Sequence, residues 1–560
     1  MQLLTYPLMI LKWIKRKTIN FEMKLHSLRY LNFLLVVYVI LFAFACKKGS
    51  VTEVIPVVED PPKSVPRNVS FVGPSYADNY ISISGWDQRA QWNLANVHDP
   101  TVEKCGDYYY MYQTDASYGN VLDGHGHFPC RRSTDLVNWE FRGTVFPDVP
   151  AWVKDSLNNK RARMTPALPP IDNPTYGFWA PCIRKAGNIY RLYYCVVVTN
   201  PIVGTDTNLS WSERAFIGVA ESADLSTNVW TDKGMVVCSE PDGVVSYIRN
   251  GPNDWNAYFK YNAIDPSFII TPEGQQWLIY GSWHSGIAAL QLNPATGKPD
   301  KLETISDYGV RIAGRGDVNT NRWQALEAPE IIYNPETQYY YLFLAYDELS
   351  VAYNTRVARS KTITGPYLGI DGLDVTNGAE CWPMITHPYA FNNHTGWVGV
   401  SHCCIFQNPD TKQWYFSSQG RLPVGVPGIV ASNAIMMGQV REVFWTSDGW
   451  PEVMPERYAA VPQLAMDTVA LRGNYEVIML NYQYQVMQKS TTLTLWSRGR
   501  ATGAFNGKWT LDSANKILQI GNQKLVIRDG YDWESSPRSA TLTFTGLTSS
   551  GVSVWGKMIY

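Results

Sequence analysis

Charge of either sign is scarce in this 560-residue chain: 48 Lys and Arg stand against 49 Asp and Glu, a formal net charge of −1. That balance excludes the basic field a nucleic-acid partner would need. The nine cysteines include no C-x-x-C pair, which argues against a zinc cage or a thiol redox motif. Leaving Cys46 aside, buried free thiols are the expectation, and Cys403-Cys404 is the one close pair. Neither a glycine-rich phosphate loop nor a nucleophilic-serine elbow is present. Long amphipathic-helix periodicity is missing too. From about residue 76 the chain reads as short β-type runs broken by Gly, Pro, Asn and Asp, which leaves an all-β sandwich, barrel or propeller.

Apolar runs are short as well. The run at residues 31–45 is too short for a comfortable membrane span, and it follows Lys24 and Arg29 as the core of a secretory signal does. Leu41-Phe42-Ala43-Phe44-Ala45-Cys46 resembles a bacterial lipoprotein cleavage site, in which Cys46 takes the lipid. An ordinary cleaved signal with an incidental cysteine is the alternative. Translation starts at Met1 or at Met23. On either reading the chain is exported, and an outer-membrane or periplasmic lipoprotein, or one at the cell surface, is expected. Residues 1–46 are assigned to this segment, and residues 47–75, rich in Pro, Val, Ser and Glu, to an extended tether.

Aromatic residues, by contrast, abound, with 21 Trp and 34 Tyr. Rigid rings with polar edges suit β-sheet cores and sugar-stacking surfaces. Many fall in a repeat: a small or polar residue, usually near proline, leads a strand, then a turn, then an aromatic strand. The five copies lead with His98-Asp99-Pro100, Trp179-Ala180-Pro181-Cys182, Ile264-Asp265-Pro266, Leu326-Glu327-Ala328-Pro329 and Ser401-His402-Cys403. A weaker second half also recurs, as Arg132-Ser133-Thr134-Asp135-Leu136 with Trp139 and as Glu221-Ser222-Ala223-Asp224-Leu225 with Trp230. Anchors at 99, 182, 265, 327 and 402 are spaced by 83, 83, 62 and 75 residues, room for four short strands each. Five such units arranged radially make a five-bladed β-propeller over residues 76–450, with its anchors converging at one end of the central channel. After Gly449-Trp450-Pro451 the repeat stops. From about residue 460 the chain alternates in period two, and residues 451–560 read as a small C-terminal β-sandwich or β-barrel.

The repeat places Asp99, Asp265, Glu327 and His402 at the channel mouth. Carboxylates are costly to bury unpaired, so three acids at corresponding positions of three blades read as a functional cluster rather than as strand caps. Glycosidic cleavage needs two carboxylates of different protonation, one to donate a proton and one to activate water or attack the sugar. A third acid nearby can keep the donor protonated by like-charge repulsion. The residues supply all three parts without assigning the roles.

Taken together, Val97-His98-Asp99-Pro100, Trp179-Ala180-Pro181, Asn262-Ala263-Ile264-Asp265-Pro266-Ser267, Tyr280-Gly281-Ser282-Trp283, Leu326-Glu327-Ala328-Pro329 and Tyr353-Asn354-Thr355-Arg356-Val357-Ala358-Arg359-Ser360 resemble glycoside hydrolase family 43. Within it, the chain is similar to two-domain arabinan endo-1,5-α-L-arabinanases over roughly residues 90–560. The resemblance implies Asp99 as general base, Glu327 as general acid and Asp265 as the residue that tunes and orients the acid. It implies inversion, hence carboxyl groups of Asp99 and Glu327 roughly 6.5–9.5 Å apart with a water between. It also implies that His402 helps to hold a hydrated metal ion, usually calcium; a satisfied core histidine is the alternative. Trp179, Asn262, Ser282 and Trp283 are the candidate sugar contacts by position. The expected substrate is arabinan or an arabino-oligosaccharide, and a monomer is expected.

Four positions depart from the family pattern. Cys182 stands where Asp is usual, Glu330 where an aromatic is frequent, Ser401-His402-Cys403 for Gly-His-Asn, and Trp283-His284-Ser285-Gly286 for Phe-Trp-Gly-Gly. These flank the acids without replacing them, and they leave two alternatives to endo action. One is an exo-acting α-L-arabinofuranosidase or β-xylosidase; the other is a non-catalytic glycan-binding lipoprotein, against which the intact acid set argues.

Overall fold

Alternating apolar side chains and frequent turns make this chain almost wholly β. The computed structural model describes residues 62–79, 81–115, 125–163, 167–198, 214–240, 259–283, 285–315, 325–391, 394–428, 433 and 435–560. The signal segment, Cys46, the start of the tether and His284 lie outside the described residues.

Five antiparallel four-stranded sheets follow one another in chain order. Blade I comprises Thr101–Cys105, Tyr108–Tyr112, His127–Ser133 and Glu140–Phe146; blade II Tyr176–Ala186, Ile189–Val198, Arg214–Ser222 and Thr231–Cys238. Blade III is Ser267–Ile270, Gln276–Tyr280, Ile287–Leu292 and Val310–Ala313; blade IV Leu326–Asn334, Tyr339–Tyr346, Asn354–Ser360 and Met384–Thr386. Blade V is Cys404–Gln407, Trp414–Gly420, Met437–Trp445 and Pro451–Val453. The first strands pack side by side in a closed ring, blade V against blade I, as a five-bladed propeller requires. The aromatic second strands fill the wedges between blades: Tyr110, Tyr112 and Tyr194 with Phe128 and Phe178 between I and II, and Tyr193 and Tyr280 with Phe268 between II and III. Among the described residues one α-helix, Trp152–Ala162, buries Val153 and Leu157.

A ring of hydrogen bonds closes the channel. In each blade one inner-strand side chain accepts from a backbone N–H of the next blade. Thr101 Oγ1 accepts from Ile183 N (3.1 Å), Cys182 Sγ from Phe268 N (3.3 Å) and Ser267 Oγ from Ile331 N (3.1 Å). Glu330 Oε1 accepts from Ile405 N (3.0 Å), and Cys404 Sγ from Val102 N (3.4 Å), which returns to blade I. Two of the family departures, Cys182 and Glu330, are members of this ring. Arg184 lies against it, donating to Glu330 and, at 3.4 Å, to Thr101 Oγ1, while Ser267 Oγ donates to Glu330 Oε2 at 2.6 Å. All eight described cysteines are free, and seven are buried, as expected for thiols used as packing and acceptors.

Blade V is built from one continuous stretch, so the ring closes without strand exchange. The segment entering blade I serves as the clasp. Ala95 bridges to Met437, and Gly438 N donates to Leu94 O at 2.7 Å.

The C-terminal domain is a closed eight-stranded barrel, not a sandwich. Its first strand, Gly473–Met479, pairs with its last, Ser553–Ile559. Leu493, Leu495, Leu518, Leu525, Ile527 and Phe544 fill it. The described part of the expected tether does not hang free. Ser64 Oγ accepts from Asn474 N (3.0 Å), Arg67 Nε pairs with Asp529 (2.7 Å), and Phe71 meets Tyr531 edge-on at 5.6 Å. Composition alone read these residues as extended linker because their partners lie more than 400 residues away in sequence.

Because the ring is buried, losing an acceptor strands an N–H, at a cost of about 1–3 kcal/mol, whereas breaking a buried ion pair costs about 3–5 kcal/mol. Cys404→Ser, which keeps an acceptor, is expected to unfold in denaturant close to wild type. Cys404→Val should lose the smaller amount and Glu330→Leu the larger. Equal midpoints for the Ser and Val variants would rule out the thiol as an acceptor that matters.

Candidate active site

The chemistry gathers where the five inner strands begin. In each blade one residue takes a left-handed backbone: Asp99 (φ 48°), Ala180 (37°), Asp265 (54°), Ala328 (53°) and His402 (50°). For a residue with a Cβ this costs about 1–2 kcal/mol, so each of these five turns carries local strain. Asp99, Asp265 and His402 are equivalent, but Glu327 is one residue out of register, level with His98. Cys182 falls two residues beyond its turn, in the hydrogen-bonded ring. Shifts in pairing between Trp179 and Cys182 and between Glu327 and Glu330 mark the offsets. The sequence repeat placed the acids as equivalents because each lies near a proline; in blade IV, Ala328 intervenes.

Asp99 is buried between two imidazoles. Its Oδ1 lies 2.9 Å from His402 Nδ1 and its Oδ2 2.9 Å from His98 Nδ1; Thr114 Oγ1 donates to Oδ2 at 2.7 Å. Its own N–H donates to Gln419 Oε1 at 2.9 Å. Burial opposes ionisation, yet His402 and His98 prevail and hold the carboxyl well below the usual carboxylate range. Asp265 goes the other way: burial, with repulsion from Glu327 and Asp99, pushes it up to about 7 against the pull of His402. The Ala328 N–H, donating at 3.1 Å, holds Asp265 Oδ2 in place. Burial lowers His402, but Asp99, Asp265 and Glu327 together raise it to about 9. One imidazole thus feels all three carboxyl groups, which places them around a single site.

Glu327 is half-buried and clamped at both oxygens. Tyr353 Oη donates to Oε1 at 2.6 Å, Trp283 Nε1 to Oε2 at 2.7 Å and Ser282 Oγ to Oε2 at 3.3 Å. Trp283 is itself left-handed (φ 56°), and its N–H donates to Leu326 O at 2.8 Å. Two of the four expected sugar contacts therefore touch the acid. Trp179 is half-buried directly before the blade II turn; Asn262 is buried, with Oδ1 accepting from Ser239 Oγ at 2.9 Å. An ionised carboxylate held by imidazoles, a second acid with a raised proton affinity and a third carboxyl in a rigid clamp are the groups that glycoside hydrolysis uses.

Residues 94–451 match the description "Glycosyl hydrolases family 43", and residues 455–556 match "C-terminal lipocalin-like domain", in keeping with the closed barrel. This chain belongs to glycosyl hydrolase family 43. An extracellular endo-alpha-(1->5)-L-arabinanase of Thermotoga petrophila is 28% identical over 505 residues, covering 84% of this chain and 95% of its own. The extracellular endo-alpha-(1->5)-L-arabinanase 2 of Bacillus subtilis is 26% identical over 497 residues, covering 85% and 95%. The crystal structure of an endo-1,5-alpha-L-arabinanase from Thermotoga petrophila RKU-1 superposes with a TM-score of 0.62 at 25% identity, covering 84% of this chain and 99% of that one.

Three members of this family-43 site escaped the sequence reading as functional residues: Tyr353, His98 and Thr114. Tyr353 and His98 sit inside the quoted motifs, so they were in view without a role. Thr114 carries no local signal, because only the fold brings it to Asp99.

A hydrogen bond to a charged group is worth about 1.5–3 kcal/mol. Tyr353→Phe is therefore expected to lower kcat about tenfold or more on glycosides with a sugar leaving group. It should lower kcat far less on aryl glycosides, whose leaving group needs little protonation. Equal losses on both would show that Tyr353 does not act through the acid.

Proposed function

We propose that this enzyme hydrolyses α-1,5-linked L-arabinofuranose polymers, cutting arabinan within the chain and inverting the anomeric centre. The observation that carries the reading is the single site in which Asp99, Asp265, His402 and Glu327 meet. The names of the two-domain relatives, which span nearly their whole length on this chain, supply the substrate.

Water held by Asp99 attacks the anomeric carbon, and its proton passes to the carboxylate. Glu327 gives a proton to the leaving oxygen as the glycosidic bond breaks, so atoms and charge balance over the step. Inverting enzymes keep the two carboxyl groups roughly 6.5–9.5 Å apart, which leaves room for the attacking water. The indole N–H of Trp283 can only donate and holds Oε2, so the transferable proton is assigned to Oε1. There the Tyr353 hydroxyl can reverse to accept. Asp265, equivalent to Asp99 but with the raised proton affinity, orients the acid through the Ala328 turn.

Calcium is part of the proposal. Nδ1 of His402 faces Asp99, which leaves Nε2 as the nitrogen through which the site would hold a hydrated ion. No group of three or more His, Cys, Asp or Glu among the described residues forms a metal cage, so water would supply most ligands. Bound there, the ion would add positive charge beside the carboxylates. Trp179 is proposed to stack on a furanose ring. The relatives' names describe extracellular enzymes, in keeping with export; anchoring through a lipid on Cys46 belongs to the same proposal.

On linear arabinan the enzyme is expected to release a ladder of oligosaccharides; arabinose as the sole early product would replace endo by exo action. Glu327→Gln should cost more than about a hundredfold in kcat with an unchanged melting temperature. A fold loss with no specific catalytic loss would remove Glu327 from its role. Chelation followed by dialysis should lower activity, and calcium should restore it; unchanged activity and melting temperature would end the metal assignment.

A further inference from the structure

A second cleft, away from the acids, opens between the outer edge of blade V and the outside of the barrel. Its volume is about 530 Å³, within the range of ligand-binding clefts. One wall is the turn Thr446-Ser447-Asp448 with Trp445; the other is formed by residues of four neighbouring barrel strands. Half-buried Ile517, Val526 and Leu547 give it apolar ground, and exposed Thr510, Asn515 and Asn522 stand around it. Lys524, Asp448 and Asp512 all line the cleft, so no field of one sign selects an ion.

Two buried polar groups lie at this cleft. Glu452 is only 5% exposed; burial pushes it up to about 8, so it stands protonated at neutral pH, with the Leu547 backbone N–H as donor. Trp445 Nε1 is buried without a hydrogen-bond partner in the described structure, although the ring packs on Tyr341 and Trp414. An aromatic ring, apolar ground, amides and hydroxyls, and an uncharged acid group suit a neutral, hydroxyl-rich ligand with apolar C–H faces. Phosphates and polycations are disfavoured by the mixed charges.

We propose that this cleft is a secondary binding site for a neutral oligosaccharide strand, a stretch of the polymer whose other part is cut at the propeller mouth. The identity of that glycan rests on the arabinan reading above. Such a site adds retention through effective concentration and leaves bond cleavage untouched.

The test uses the full chain. Glu327→Gln protein is run by affinity electrophoresis in gels cast with linear arabinan, alone and combined with Thr510→Trp, which fills the cleft, or with Gln519→Ala and Asn522→Ala, which remove two amides of its lining. Retardation is expected to weaken at least about threefold in both combinations. The same cleft substitutions in otherwise wild-type enzyme should leave turnover of an aryl arabinofuranoside unchanged. Undiminished retardation in both combinations would overturn the proposal. Hydrolysis of arabinan by the wild type is assayed separately; its failure would overturn the substrate reading, while the cleft is still judged by retardation.

Discussion

Five side chains, each accepting from a backbone N–H of the next blade, set the geometry on which this molecule depends. The circle Thr101, Cys182, Ser267, Glu330, Cys404 fixes the height of every inner strand relative to its neighbours. A slip of one residue in any strand would remove its acceptor and flip its side chains to the opposite face. The active-site turns begin two residues before these positions, so the same circle sets where Asp99, Asp265 and His402 stand. Arg184 and Glu330 add a buried charge pair at its centre. Such pairs do little for net stability by themselves, since desolvation offsets their attraction. Their use here is directional, because Glu330 also accepts from Ser267 and Ile405 while Arg184 also donates to Thr101, so that one carboxylate and one guanidinium join all five blades.

Above that circle the electrostatics divide the acids. Asp99 and Asp265 occupy equivalent turns, yet Asp99 lies between two imidazoles, whereas Asp265 feels burial and two other carboxyl groups against the pull of His402 alone. Position on the fold is the same and environment differs, which is how one repeat yields groups of opposite protonation behaviour. Glu327, offset by one residue, escapes the ring of turns and reaches a separate set of donors from Ser282, Trp283 and Tyr353. The offset sets Glu327 apart from Asp99 and Asp265, and the ring of turns holds all three on a rigid frame.

Much of this was legible in the sequence, for a physical reason. The repeat is written in local signals: proline after a strained turn, then an aromatic strand that must fill an inter-blade wedge. Five copies announce five blades, and the acids near three of the turns, with a histidine at a fourth, announce a site. What the sequence concealed depends on contacts between distant segments. Cys182 and Glu330 looked like departures at the site, whereas they are acceptors in a circle visible only once five strands are side by side. Ser282 and Trp283 looked like sugar contacts because they lie near the mouth; their donors point at Glu327. Residues 62–75 looked like free linker because the barrel that receives them is encoded at the other end of the chain.

That last arrangement gives the barrel a structural task. A propeller made of consecutive blades has one weak seam, between the last blade and the first, since no shared strand bridges it. Here the seam is held by the segment before blade I, through Leu94, Ala95 and Gln419. The chain ahead of it is held in turn by the barrel side. Asp78 pairs with Arg457 and, at 3.0 Å, with Arg538, while Lys557 sits among Glu456, Asp532 and Glu534. Asp99 lies four residues beyond the Ala95 bridge, so its carboxylate is positioned by the fastening of the ring. Loosening the barrel contacts would act on catalysis through this segment, without any barrel residue touching the acids.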